Sequence, residues 1–171
     1  PDRVSAELGA LVPGRRATDY ASLRLGFASG TRGTLVASSA AAGQEKHFAL
    51  RIIGERGSLE WRGARHGELW LRPLRGPAQL FTRGMPELAP AARRATRIPR
   101  TGHPEGLHEG FATLYADLAE RILARREARA PDPLALLSPG AEEGVRGLGF
   151  VEAAVRSAAA EGACCVIPGP G

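Results

Sequence analysis

A chain of 171 residues, 43% apolar and 24% charged with a net charge of +5, can close the core of one ordinary domain, here expected over residues 1–168. No apolar run approaches the roughly 18–20 residues that a membrane-spanning helix requires. A transmembrane protein is therefore not expected; the opening Pro1-Asp2-Arg3-Val4 also lacks the basic start and the apolar stretch of a secretory signal, and two adjacent cysteines with no disulfide framework favour a reducing, cytoplasmic setting.

The first half alternates with a period of two. Arg3 to Leu11 reads as an edge strand. Thr18 to Phe27 places Ala21, Leu23, Leu25 and Phe27 on one face and Tyr20, Ser22 and Arg24 on the other, as a half-covered strand requires. Ser29-Gly30 supplies a turn, and Gly33 to Ala40 returns. His47 to Ile53 and Ser58 to Arg62 make a second hairpin about Gly54-Glu55-Arg56-Gly57, followed by shorter strands at Glu68 to Arg72 and Gln79 to Thr82. Neighbouring strands in a meander predict a mainly antiparallel sheet.

Gly84 to Gly102, with Pro86, Pro90 and Pro99, reads as a long loop. From Glu105 to Arg129 the period becomes helical, with Leu107, Phe111, Leu114, Tyr115, Leu118, Ile122 and Leu123 on one stripe. A second helix from Ala141 to Ala160 is expected to bury Val145, Leu148, Val151, Ala154 and Val155. A last strand, Ala163 to Ile167, carries Cys164 and Cys165, read as small buried residues because adjacent cysteines form no disulfide framework. The predicted class is therefore α+β, an open, mainly antiparallel sheet with two long helices packed on one face.

Charge is unevenly spread. Arg62 to Arg100 holds nine arginines against Glu68 and Glu87, a local balance of +7, leaving −2 elsewhere. Clustered cations suit a phosphate backbone. However, Trp70 and Phe81 are the stretch's only large aromatics, so a solvated loop or a rim attracting small anions is favoured over nucleic acid. No Gly-x-Gly-x-x-Gly follows a strand, and neither a phosphate loop nor a Gly-x-Ser-x-Gly elbow occurs. His108-Glu109 begins like a zinc-protease motif, but Ala112 stands where the second histidine belongs, and no metal site is expected. The best polar constellation is Thr101-Gly102-His103-Pro104-Glu105-Gly106, an imidazole and a carboxylate at a helix start. It suits holding a polyol or an anion. On spacing alone, helix capping by His103 and Glu105 is the favoured alternative.

Five segments, in order, resemble the C-terminal domain of the Gfo/Idh/MocA family of NAD(P)-dependent sugar and polyol oxidoreductases. They are Asp19 to Phe27 with Gly30 to Ser38, then Ile53 to Trp61. Gly102-His103-Pro104-Glu105-Gly106 follows, with Glu109, Phe111 and Leu114-Tyr115. Glu143 to Gly147 and Phe150 to Ala154 with Ser157 complete the set. The resemblance spans roughly Asp19 to Ile167. It implies a large sheet whose second face packs on another subunit in a homo-oligomer. It also implies that the chain is the substrate-binding and oligomerisation piece of a longer enzyme. NAD or NADP would be held mainly by a Rossmann domain preceding Pro1, together with that domain's Glu-Lys-Pro lysine and Asp-x-x-x-His pair. No catalytic residue transfers to this chain. His103 and Glu105 are the positions implied to contact a sugar- or polyol-like substrate, and Lys46, in the departure Gln44-Glu45-Lys46-His47, is a further donor. The runner-up is a non-enzymatic binding or scaffolding module of the same fold.

Overall fold

The computed structural model describes residues 1–44, 47–98 and 105–169. The chain divides into two compact units, Pro1–Gln44 with Pro139–Gly171, and Glu45–Ser138. The α+β class and the antiparallel pairing are as expected, with the strands making two four-stranded sheets rather than one.

In the first unit, β1 (Arg3–Gly9), β2 (Tyr20–Gly26) and β3 (Arg32–Ser38) form a meander, and the two-residue β8 (Cys165–Val166) adds to β1. The order is β3-β2-β1-β8, so β1 is an inner strand and not the predicted edge. Its second neighbour arrives from the far end of the chain, a pairing that local periodicity does not register. Alternation places Val4 opposite Leu25 and Ala6 opposite Leu23 on one face. The long helix (Ala141–Ala159) packs against β1 and β8 on that face. Val4, Ala6, Leu23, Ala153 and Ala154 form the buried core.

That helix turns Gly149, Ala153, Ala154 and Ser157 inward. Of the apolar residues expected to be buried, Ala154 is, whereas Val145, Leu148, Val151 and Val155 are more than half exposed. The physical reason is size: small residues bring the helix backbone close to the sheet, and the bulky aliphatic stripe lies round the helix from that contact. Ser157 completes the packing. Its hydroxyl accepts from the Ala6 N–H at 2.8 Å and donates to the Ala163 carbonyl at 2.6 Å. It thus serves β1 just past the point where the short β8 stops pairing. Cys164 is exposed and Cys165 half-buried, both as free thiols, because β8 is too short to draw Cys164 into the core.

In the second unit, β4 (Ala49–Gly54), β5 (Gly57–Arg62), β6 (Glu68–Pro73) and β7 (Gln79–Thr82) pair in sequence order. Gly57 is obligatory in the first turn: its φ is +154°, and a Cβ there would lie 2.5 Å from the Arg72 carbonyl oxygen. The predicted loop after β7 contains a short helix, α1 (Pro90–Ala95), with proline in its first turn. The longer α2 (Leu107–Arg126) is followed by a 3-10 segment, Pro133–Leu137, against which it packs, and the helix of the first unit is then α3. The buried residues of α2 are Asp117 and Ala124, while its predicted apolar stripe is exposed, Leu107 to 72% and Tyr115 to 68%. The helices therefore divide between the units, one packed on a sheet and one on a 3-10 turn.

Candidate functional site

Three residues carry the sequence expectation. His103 and Lys46 lie outside the described residues. Glu105 is described, buried, and immediately precedes α2. Its carboxylate accepts from Arg83 at 2.7 Å, from the Arg97 N–H at 3.1 Å and from the Ile98 N–H at 2.9 Å. Burial raises its pKa, but the two backbone donors and the Arg83 guanidinium outweigh burial and hold it below the usual carboxylate range. A carboxylate offers about four acceptor positions, so three protein donors leave room for about one more. The Glu105 carbonyl is met by the His66 ring.

Glu105 thus fastens three stretches around the start of α2: the end of β7 through Arg83, the segment after α1 through residues 97 and 98, and the turn after β5 through His66. The helix start has its own cap, since Glu109 accepts from the Gly106 N–H at 2.7 Å. Beside this knot lies a cavity of about 350 Å³ whose walls include Trp61, His66, Phe81, Arg83, Ala92 and Thr96. An apolar hollow with a few polar groups at its margin is the usual form of a small-molecule site.

Two further polar clusters were not singled out in the sequence. Glu60, buried on β5, faces Arg51, Arg62 and Arg72 at 3.5, 2.6 and 3.0 Å. These guanidiniums, Arg62 foremost, outweigh burial and lower its pKa. The strand register carries the signal: Glu60 stands directly opposite Arg51 on β4, with Arg62 two residues along β5 on the same face. Asp117, buried on α2, accepts from Ser138 at 2.5 Å and from Arg94 at 2.6 Å, and Arg94 also reaches Asp132 at 2.9 Å. Nothing local in the sequence pairs these residues. Much of the basic stretch is accordingly engaged internally, with Arg62 and Arg72 on Glu60, Arg83 on Glu105 and Arg94 on Asp117.

The two long helices start alike: as Glu109 does for Gly106 before α2, Glu143 accepts from the N–H of Gly140, the residue before α3, at 2.8 Å. Among the described residues no group of three or more His, Cys, Asp or Glu side chains could hold a metal ion, and no helix is long and apolar enough to cross a membrane.

A small-residue helix on an antiparallel sheet, with a second antiparallel sheet and a polar helix start, defines an α+β domain. Residues 1–60 match the family model described as GFO/IDH/MocA C-terminal domain. The chain is 31% identical over 140 residues to an uncharacterized oxidoreductase, YfiI, of Bacillus subtilis (strain 168), covering 82% of this chain and 35% of that protein. It is similar to the crystal structure of an oxidoreductase from Sinorhizobium meliloti, with 39% identity and a TM-score of 0.85 over 95% of this chain and 45% of that one. It is also similar to an inositol dehydrogenase homolog from Azotobacter vinelandii complexed with NADH and myo-inositol. There the identity is 30% and the TM-score 0.81, over 96% of this chain and 44% of that one. The chain belongs to the Gfo/Idh/MocA family. It spans less than half the length of these relatives.

Proposed function

We propose that this chain is the substrate-binding and oligomerisation domain of an NAD(P)-dependent oxidoreductase that acts on a sugar, a polyol or a related hydroxy compound. The observation that carries this is the likeness, over 96% of the chain, to a protein complexed with NADH and myo-inositol. The cofactor is assigned to a further domain of the longer protein. When bound there, the nicotinamide would accept hydride from the carbon bearing the substrate hydroxyl.

This chain's own part is to bind and orient. His103, Glu105 and Lys46 are proposed to line the substrate pocket as polar contacts. Glu105 is suited to two tasks at once, since its protein donors fix the segment leading to His103 while about one acceptor position remains for a hydroxyl. The free thiols fit a reducing cytoplasm.

The test is a screen of sugars and polyols, myo-inositol among them, for substrate-dependent reduction of NAD and NADP by the protein at its full encoded length. Turnover of at least one polyhydroxylated substrate is the expected result. Tight binding of such compounds without turnover would return the chain to the scaffolding reading.

A further inference from the structure

The cavity beside Glu105 is floored by one row of the second sheet. Trp61, Leu69 and Phe81 stand directly opposite one another on β5, β6 and β7, so their side chains share a face. It is the face opposite the one that carries Glu60 and Ile53. Ala89, Ala92 and Thr96 also line the cavity, at the three- and four-residue spacing that puts them on one side of α1 and its two caps. The helix is tied elsewhere: Arg94 reaches Asp117 at 2.6 Å and Asp132 at 2.9 Å, and α1 lies against the 3-10 segment. Small side chains on a helix held in this way leave the aromatic row unfilled, and about 350 Å³ remains.

The polar side chains of the wall are mostly engaged by protein. Trp61 Nε1 donates to the His66 carbonyl at 2.9 Å, and the His66 ring meets the Glu105 carbonyl. Glu68 pairs with Arg65 at 3.7 Å, Arg83 pairs with Glu105 at 2.7 Å, and the Thr96 hydroxyl donates to the Ala92 carbonyl at 2.9 Å. Among the described residues, only the Thr82 hydroxyl and the exposed Glu87 carboxylate of this wall have no such partner. A polyol needs a hydrogen-bond partner for nearly every hydroxyl that it buries. This wall cannot supply them.

We propose that the cavity binds an uncharged aromatic ligand of two fused rings, free or as the aryl group of a glycoside. An apolar cavity of about 150 Å³ holds one benzene ring, so the space here admits two. Trp61 and Phe81 offer a ring the offset or edge contacts that aromatic pairs favour. The Trp61 indole is already fixed for that task, by its bond to His66 and by Phe48, whose ring stands edge-on to it at 5.5 Å. Glu68 and Glu87 in the wall disfavour an anion. His103, Glu105 and Lys46 are not called on as contacts, so this inference and the substrate reading can fail separately.

The test is calorimetric titration of the full-length protein at neutral pH with 2-naphthol and with 2-naphthyl glucoside. Saturable binding of one equivalent is expected. Ala92→Leu pushes a larger side chain into the cavity and should weaken binding by about ten-fold or more. The same change at Ala91, exposed on the same helix but outside the wall, should leave it unaltered. Tighter binding of the glucoside would identify the ring as part of a sugar-bearing ligand, and equal or weaker binding would identify the free aromatic compound. Absence of saturable binding, displacement of 2-naphthol by myo-inositol, full affinity in Ala92→Leu, or equal losses in the two variants would each overturn the proposal.

Discussion

Ser157 is fully buried, and its single hydroxyl serves two backbone groups of different elements. Replacing it with alanine leaves the Ala6 N–H and the Ala163 carbonyl without that partner while changing little volume. A loss of about 1–3 kcal/mol is expected, since an unsatisfied buried polar group carries its full desolvation cost. Chemical denaturation of Ser157→Ala measures it, and a loss well under that range would mean that water replaces the hydroxyl. In the sequence this serine is one of several polar residues on the last helix, the others being charged. Its part in the resemblance placed it correctly on the last helix, but no local rule assigns its hydroxyl to β1, which is 151 residues away. Glu105 was legible as a helix-start carboxylate. Its bonds to residues 83, 97 and 98 were not, because they depend on how β7 and α1 come together.

At the level of elements, strands were legible to within about two residues at each end, as in β2, β3 and β7. What escaped was pairing between distant segments, such as β8 beside β1, and the short α1 hidden in a proline-rich stretch. The buried face of each long helix was also misread, for a shared reason. Hydropathy marks where large apolar groups lie, whereas α3 packs through Gly149, Ala153 and Ser157, and α2 buries Asp117 in an ionic network. That network makes the second unit sensitive to acid. Hydrogen bonds from Arg129 and from the Asp132 N–H lower the Glu120 pKa from 4.5 to about 2, and Ser138 and Arg94 lower that of Asp117. A carboxylate with a lowered native pKa stabilises the fold fully above its unfolded value, and the contribution fades as pH falls through the native value. Stability should therefore drop as pH falls from about 4.5 towards about 2, and Glu120→Gln should flatten that dependence. An unchanged profile in the variant would contradict the assignment.

Taken whole, the chain leaves extensive apolar surface uncovered in both units. Val36 on β3 is 68% exposed and Ile53 on β4 is 76% exposed, and every residue of β4 is open. Contiguous exposed aliphatic strands mark surfaces that other protein covers. Self-association is the expected outcome in light scattering at micromolar concentration, and a strictly monomeric particle would count against the oligomerisation role. This need for cover was legible in the sequence as helices too few for the strands. The division into two sheets was not, since it turns on which strand edges meet.

The most direct measurement of the central claim is steady-state kinetics of His103→Ala in the full-length protein, on a polyol or sugar that the wild type turns over. A residue that holds substrate hydroxyls should raise the KM for that substrate by about ten-fold or more while leaving NAD(P) affinity nearly unchanged. An unchanged KM would return His103 to helix capping and remove the substrate pocket from the start of α2.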